Sequence, residues 1–234
     1  NLAAYHTTGE YLVFLTQDAS PANSDWLARL IAPLTVDRRI AGGYSRHLPR
    51  ANCHPMEWRR IVQDELSGRP DSCLNELSDP GYAQNPDHFH FFSNVSSVLR
   101  KRIWENFPFP DVPFAEDQLW AQTVIEAGYK TTYRADSLVY HSHGYGTWDN
   151  FRRHFDHGLA MRQQTDLSAG VKLASAVRAA RKDLSFWRCL KKDGRWRTLL
   201  RWGIPAVAWH WAGQYGVHLS LIHISEPTRP RLIS

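Results

Sequence analysis

Gly9-Glu10-Tyr11-Leu12-Val13-Phe14-Leu15-Thr16-Gln17-Asp18-Ala19-Ser20-Pro21 is the stretch on which the fold class turns. The apolar run Tyr11 to Leu15 stops abruptly at polar and turn-forming residues. A short continuous apolar run bounded in this way is the pattern of a strand buried on both faces, as in a parallel sheet covered by helices. Ser24 or Asp25 then stands where it can cap a helix whose apolar face is Trp26, Leu27, Leu30, Ile31 and Leu34. A second strand is expected over Ile40 to Ser45. Strand, helix, strand favours an α/β layer architecture.

Further along, the proline-rich stretch Arg46 to Pro86 reads as loops around one helix near Met56 to Glu65. Phe89 to Ser93 is expected to be a short aromatic strand, and Ser96 to Asn106 a helix carried by Val98, Leu99, Ile103 and Trp104. Asp117 to Ala127 is a further helix, terminated by Gly128 at a C′ position. Lys130 to Tyr133 and Ser137 to Tyr140 are the last strands expected, the second running directly into His141-Ser142-His143. Beyond Trp148 the pattern is helical throughout, with Gly158, Gly170, Gly194, Gly203 and Pro205 as breaks.

Composition narrows the function classes. In 234 residues, 43 % are hydrophobic and 22 % charged, enough to bury a core and too apolar for a disordered chain. Three widely spaced cysteines, Cys53, Cys73 and Cys189, make neither a disulfide scaffold nor a paired-cysteine zinc site, which fits a reducing, cytoplasmic setting. Ile204 to Gly213, the longest strongly apolar stretch near the C-terminus, is about half of what a membrane span needs. Charge is uneven: residues 151–218 hold 13 Lys and Arg against 4 Asp, while the whole chain is at +5. That basic end also carries Trp187, Trp196, Trp202, Trp209 and Trp211, a mixture that suits an interfacial helix on anionic lipid. Tryptophans packing onto the protein with arginines facing water is the structural alternative. No nucleic-acid-binding motif is present.

The start at Asn1 without methionine or signal sequence reads as a truncation. Leu219 to Ser234 resembles the conceptual translation of a transposase-type sequencing adapter, and is set aside from fold reasoning. The expected division is therefore a catalytic domain over 1–150, a basic tryptophan-rich helical region over 151–218, and a non-native tail over 219–234.

In open α/β sheets chemistry gathers in the crevice beyond the carboxyl ends of the strands. Asp18 follows the first apolar run, Glu116-Asp117 opens a helix, and His141 and His143 follow the last strand. Singly, each has a structural explanation: a turn former, a pair favoured by the helix dipole, two surface histidines. Jointly, they could supply both metal ligands and a base.

Four segments in order, Gly9 to Ala19, Phe92-Ser93-Asn94-Val95-Ser96-Ser97-Val98-Leu99-Arg100, Phe114-Ala115-Glu116-Asp117-Gln118-Leu119-Trp120 and Val139-Tyr140-His141-Ser142-His143, resemble family 2 glycosyltransferases, especially the rhamnosyltransferase-like bacterial branch. The resemblance covers about Asn1 to Gly158. It implies a Rossmann-like, nucleotide-sugar-binding sheet of the glycosyltransferase A type, with the strands that bind the nucleobase lying before Asn1, so that the chain as it stands is expected to be inactive and aggregation-prone. It further implies that Asp18 holds a divalent metal, Mg²⁺ or Mn²⁺, on the donor diphosphate, joined by His141 with His143 as second choice. Thr16-Gln17-Asp18 has a single acid where many relatives have two or three, which leaves the site poor in charge. Asp117 is implied to be the catalytic base beside Glu116, and Gln17, Ser93 and Asn94 to line donor and acceptor.

The implied activity is inverting transfer of a sugar, dTDP-rhamnose being the donor the branch suggests, to a hydroxyl of a cell-surface polysaccharide or lipid-linked acceptor at the inner face of the plasma membrane. Two other readings fit the same residues: a metal hydrolase using Asp18, Asp117, His141 and His143, and a non-catalytic sugar-binding remnant of the same fold.

Overall fold

The computed structural model describes residues 1–222 except 52, 64–66, 113–114, 163–172, 192–196, 198–200 and 202. They form two compact units: residues 1–53 with 60–143, and residues 54–59 with 144–222. The first unit is an α/β layer structure, as the strand–helix–strand order predicts.

Its sheet is mixed. The path runs β1 (Tyr11–Leu15), β5 (Ser96–Arg100), β3 (Ile40–Leu48), β6 (Lys130–Tyr140), β2 (Ser20–Pro21), and β4 (Cys73–Glu76) pairs with β6 off that path. Among the described residues only β3 and β6 are parallel; β5 runs antiparallel to both β1 and β3. Helices cover both faces. On one side α2 (Trp26–Val36) brings Leu30 and Leu34 against Ile40 and Val98. On the other, α5 (Lys101–Asn106) and α6 (Glu116–Glu126) bring Ile103, Trp104, Trp120 and Val124 against Tyr44, Leu99 and Tyr133.

Several expectations are corrected. Ser96 to Arg100 are strand, with the helix beginning only at Lys101. Val98 faces one helical layer and Leu99 the other, so β5 is apolar on both faces, and a short run of that kind cannot be told from a buried helix by its period. Phe89 is not in a strand: it lies within the short α4 (Pro86–His90), which starts on a proline whose fixed φ suits a first helical turn. Tyr11 to Leu15 is a strand, but among the described residues it pairs on one side only, and Val13 and Leu15 are exposed. Asp25 is the N-cap of α2 without capping it through its side chain, because its carboxylate is taken by Arg29 at 2.6 Å. The two last strands are one, β6, whose register against β3 jumps between Ser45/Arg134 and Arg46/Leu138. The helix expected from Met56 to Glu65 is α3 (Pro55–Val62), residues 64–66 lying outside the described ones.

The bulge in β6 has a purpose in packing. Ser137 within it donates to the Trp26 carbonyl at 2.9 Å and contacts Ser45 Oγ at 2.9 Å, which in turn contacts Ser96 Oγ at 2.8 Å. Each buried hydroxyl is thereby satisfied, and β5, β3 and β6 are laced together with the start of α2. Gly128, at φ +86°, ends α6 as expected: its N–H reaches Ile125 O, and the Tyr129 N–H reaches Val124 O.

The second unit is helical: α7 (Thr147–Arg162), α8 (Leu173–Lys191) and α9 (Ile204–Ile222). Gly158 lies within α7 and breaks nothing; Gly170 and Gly194 lie outside the described residues. Met56, Ala180, Ala206 and Trp209 form its apolar centre. Beside it Asp183 meets His210 Nε2 at 2.6 Å and Arg59 at 3.5 Å, so a buried carboxylate is paired by two donors. Residues 219–222 continue α9, and the remainder of the supposed tail, 223–234, is outside the described residues. Of the tryptophans expected to mark an interfacial helix, Trp196 and Trp202 are also outside them, Trp209 is buried and Trp211 exposed. No described helix is long and apolar enough to cross a membrane.

Gly42 on β3 is closely packed against β5 and the Trp120 ring. A Cβ there would meet the Val98 carbonyl at 2.8 Å and the Trp120 ring at 3.0 Å. Gly42→Ala should therefore cost about 1–3 kcal/mol through overpacking. Urea unfolding measures it, and an unchanged midpoint would contradict this packing.

Candidate functional site

The mixed topology decides where polar ends meet. Because β5 is antiparallel to β1 and β3, its beginning lies at the same end of the sheet as the carboxyl ends of β1, β3 and β6. Loops leaving that end are tied backbone to backbone: Thr16 N–H to Val95 O at 3.1 Å, and His141 N–H to Leu48 O at 2.9 Å.

Asp18, His141 and His143 come together there. Asp18 Oδ2 lies 3.4 Å from His141 Nε2 and 3.6 Å from His143 Nδ1, and one donor atom of each residue lies within 4.8 Å of the others. The imidazoles are 13 % and 17 % exposed and the carboxylate 43 %, so the group opens to solvent on the carboxylate side. Partial burial works against the charge of Asp18, but the Thr16 hydroxyl and the two histidines outweigh it and hold its carboxyl below the usual range. Ligand atoms bound to one divalent ion at about 2.0–2.2 Å stand roughly 3–4 Å apart, so the Asp18–histidine separations fit a shared ion. No other group of three or more candidate ligands occurs among the described residues.

The acidic pair forms a second cluster. Ala115, at φ +58°, is the only non-glycine residue in the left-handed region among those described, and this strained turn starts α6 so that Asp117 faces the loop before β5. Asp117 Oδ2 accepts the Asn94 N–H at 3.0 Å and Oδ1 the Gln118 N–H at 2.9 Å. The Asn94 amide reaches Glu116 Oε1 at 3.5 Å, and its own oxygen accepts from Ser97 Oγ at 2.9 Å. Burial raises the Asp117 carboxyl above the usual range; the Asn94 N–H opposes this and the Glu116 charge adds to it.

The two clusters are joined. Ser93 Oγ lies 3.5 Å from His47 Nε2, the His47 ring meets the His141 ring edge to face at 5.4 Å, and the His141 and His143 rings are 4.6 Å apart. A continuous line of contacts thus runs from Asp117 through Asn94, Ser93, His47 and His141 to Asp18. Gln17 stays apart: it is exposed and makes no side-chain hydrogen bond among the described residues.

His47 and Arg50 were not singled out by the sequence pattern, because the strand expected to stop at Ser45 continues to Leu48. Had its end been placed correctly, both would have stood among the polar residues at a strand's carboxyl end.

No family model matches the chain. It is 32 % identical over 162 residues to the O-antigen chain rhamnosyltransferase RfbN of Salmonella typhimurium, covering 68 % of this chain and 50 % of that protein. It is 30 % identical over 153 residues to the O-antigen chain rhamnosyltransferase WbaN of Salmonella anatum, covering 64 % of this chain and 46 % of that one. The chain spans about half the length of these relatives.

His47 sets a pH dependence. Burial, then the charges of His141 and Arg60, push its imidazole down to about 3. In the unfolded chain it titrates near the ordinary 6.5. Between these values the unfolded state binds a proton that the folded state refuses, so stability falls as pH drops below about 6.5. His47→Gln should lose less stability than the parent between pH 7 and pH 5, by on the order of 1–2 kcal/mol in urea titrations. Identical acid limbs would refute the burial of a neutral ring.

Proposed function

We propose that the first unit is the catalytic part of an inverting glycosyltransferase that moves a sugar from a nucleotide-sugar donor to a hydroxyl of a surface polysaccharide or lipid-linked acceptor. The observation that carries the reading is the joining of Asp117 to the Asp18–His141–His143 group at one end of the sheet. The names of the two similar O-antigen rhamnosyltransferases support rhamnose as the sugar; dTDP-rhamnose as its donor and work at the cytoplasmic face of the membrane belong to the proposal.

Asp117 is the base in this mechanism. Both its oxygens are pinned by backbone N–H groups, so the carboxylate is fixed in direction before any acceptor arrives. Burial raises its proton affinity toward that of a useful base. The acceptor oxygen attacks the anomeric carbon, its proton passes to Asp117, and the bond from that carbon to the diphosphate oxygen breaks with its electron pair leaving on the phosphate. Displacement from the opposite face inverts the anomeric centre. Glu116 orients Asn94, and Ser93 and Asn94 line the space between the base and the histidines, with Gln17 at the solvent side. A Mg²⁺ or Mn²⁺ ion held by Asp18, His141 and His143 would neutralise charge on the departing diphosphate.

The test uses the protein with dTDP-rhamnose and a lipid-linked acceptor. Asp117→Asn keeps an acceptor for the Asn94 N–H and should lower transfer by about 10²- to 10⁴-fold. Donor affinity, read by calorimetry, should stay nearly the same. Turnover at the parental rate would reject Asp117 as the base.

A further inference from the structure

Arg50 follows the carboxyl end of β3 and is tied to both loops that carry the candidate ligands. Its Nη2 donates to the Asp18 carbonyl oxygen at 2.7 Å, and its backbone N–H donates to Ser142 Oγ at 3.1 Å, between the two histidines. The side chain is half-buried, and no carboxylate pairs with it among the described residues. Two other arginines of this unit have side-chain partners instead. Arg134 is held by Asp136 at 2.8 Å, and Arg69 by Cys73, His88 and the Tyr133 ring.

A partly desolvated guanidinium is ordinarily paired, since it keeps its charge at every working pH and its planar fork of N–H donors matches a carboxylate or phosphate. Here one donor is spent on a neutral carbonyl and the fork is otherwise open among the described residues. The adjoining ligand group contains a single acid, Asp18. Arg50 places a positive charge directly beside that acid, on the carbonyl oxygen of the same residue.

We propose that Arg50 is the phosphate-binding cation of this site, donating to diphosphate oxygens that the metal does not hold and stabilising the charge that gathers on them as the anomeric bond breaks. The assignment rests on the glycosyltransferase reading above.

The experiment separates the two. The parent protein is compared with Arg50→Gln and Arg50→Lys. Mn²⁺ binding is followed by electron paramagnetic resonance, and inorganic pyrophosphate binding by calorimetry, both with saturating Mn²⁺ and without metal. Arg50→Gln should bind Mn²⁺ as the parent does and lose about 10- to 100-fold in pyrophosphate affinity, the size of a charge-assisted bidentate contact. Arg50→Lys, with the charge but not the fork, should fall between. Equal pyrophosphate affinity in the parent and Arg50→Gln overturns the proposal. So does a parallel loss of Mn²⁺ binding, which would make Arg50 only a clasp on the Asp18 loop. Absent sugar transfer alongside a retained difference in metal-free pyrophosphate binding would count against the transferase reading and leave the anion contact standing.

Discussion

The parallel pairing of β3 with β6, flanked by an antiparallel β5, is the constraint on which the site depends. Three segments far apart in the chain leave the sheet at one end because of it. Hydroxyl contacts through Ser96, Ser45, Ser137 and the Trp26 carbonyl lock those strands just where the loops diverge. Since the three serines are buried, replacing one would leave another without a partner. Gly42 and Gly43 then let the helical layers and neighbouring strands close on β3, where any Cβ would collide.

On that platform two carboxyl groups experience opposite environments. Asp117 is buried and near Glu116, so its charge is disfavoured; Asp18 opens to solvent beside a hydroxyl and two imidazoles, so its charge is favoured. Two environments of this kind are what the proposed division between a base and a charge-binding acid requires. His47 lies between them as a neutral buried ring, which transmits position without adding charge. The second unit builds its interior on a different principle, a carboxylate shared by His210 and Arg59 beside an apolar centre of small residues and Trp209.

Where the pattern was periodic or punctuated, it was readable: the faces of α2, the C-terminal Gly128 of α6 and the strand at Tyr11 all appear where the residues indicate. Reading failed where burial on both faces erased the period, as in Ser96 to Arg100, and where a proline-started turn carried aromatic residues, as at Phe89. It also shortened β3, hiding His47 and Arg50 beyond a false end.

The linear chain by itself determined the α/β class, the apolar face of α2 and the polar residues stationed where apolar runs stop, since these follow from local periodicity and turn chemistry. Only the tertiary structure decided that β5 runs against β3, and with it that Asn94 meets Asp117 and that Asp18 faces His141 and His143. Strand direction and partner choice are set by which long-range surfaces pack together, and no window of neighbouring residues contains that information.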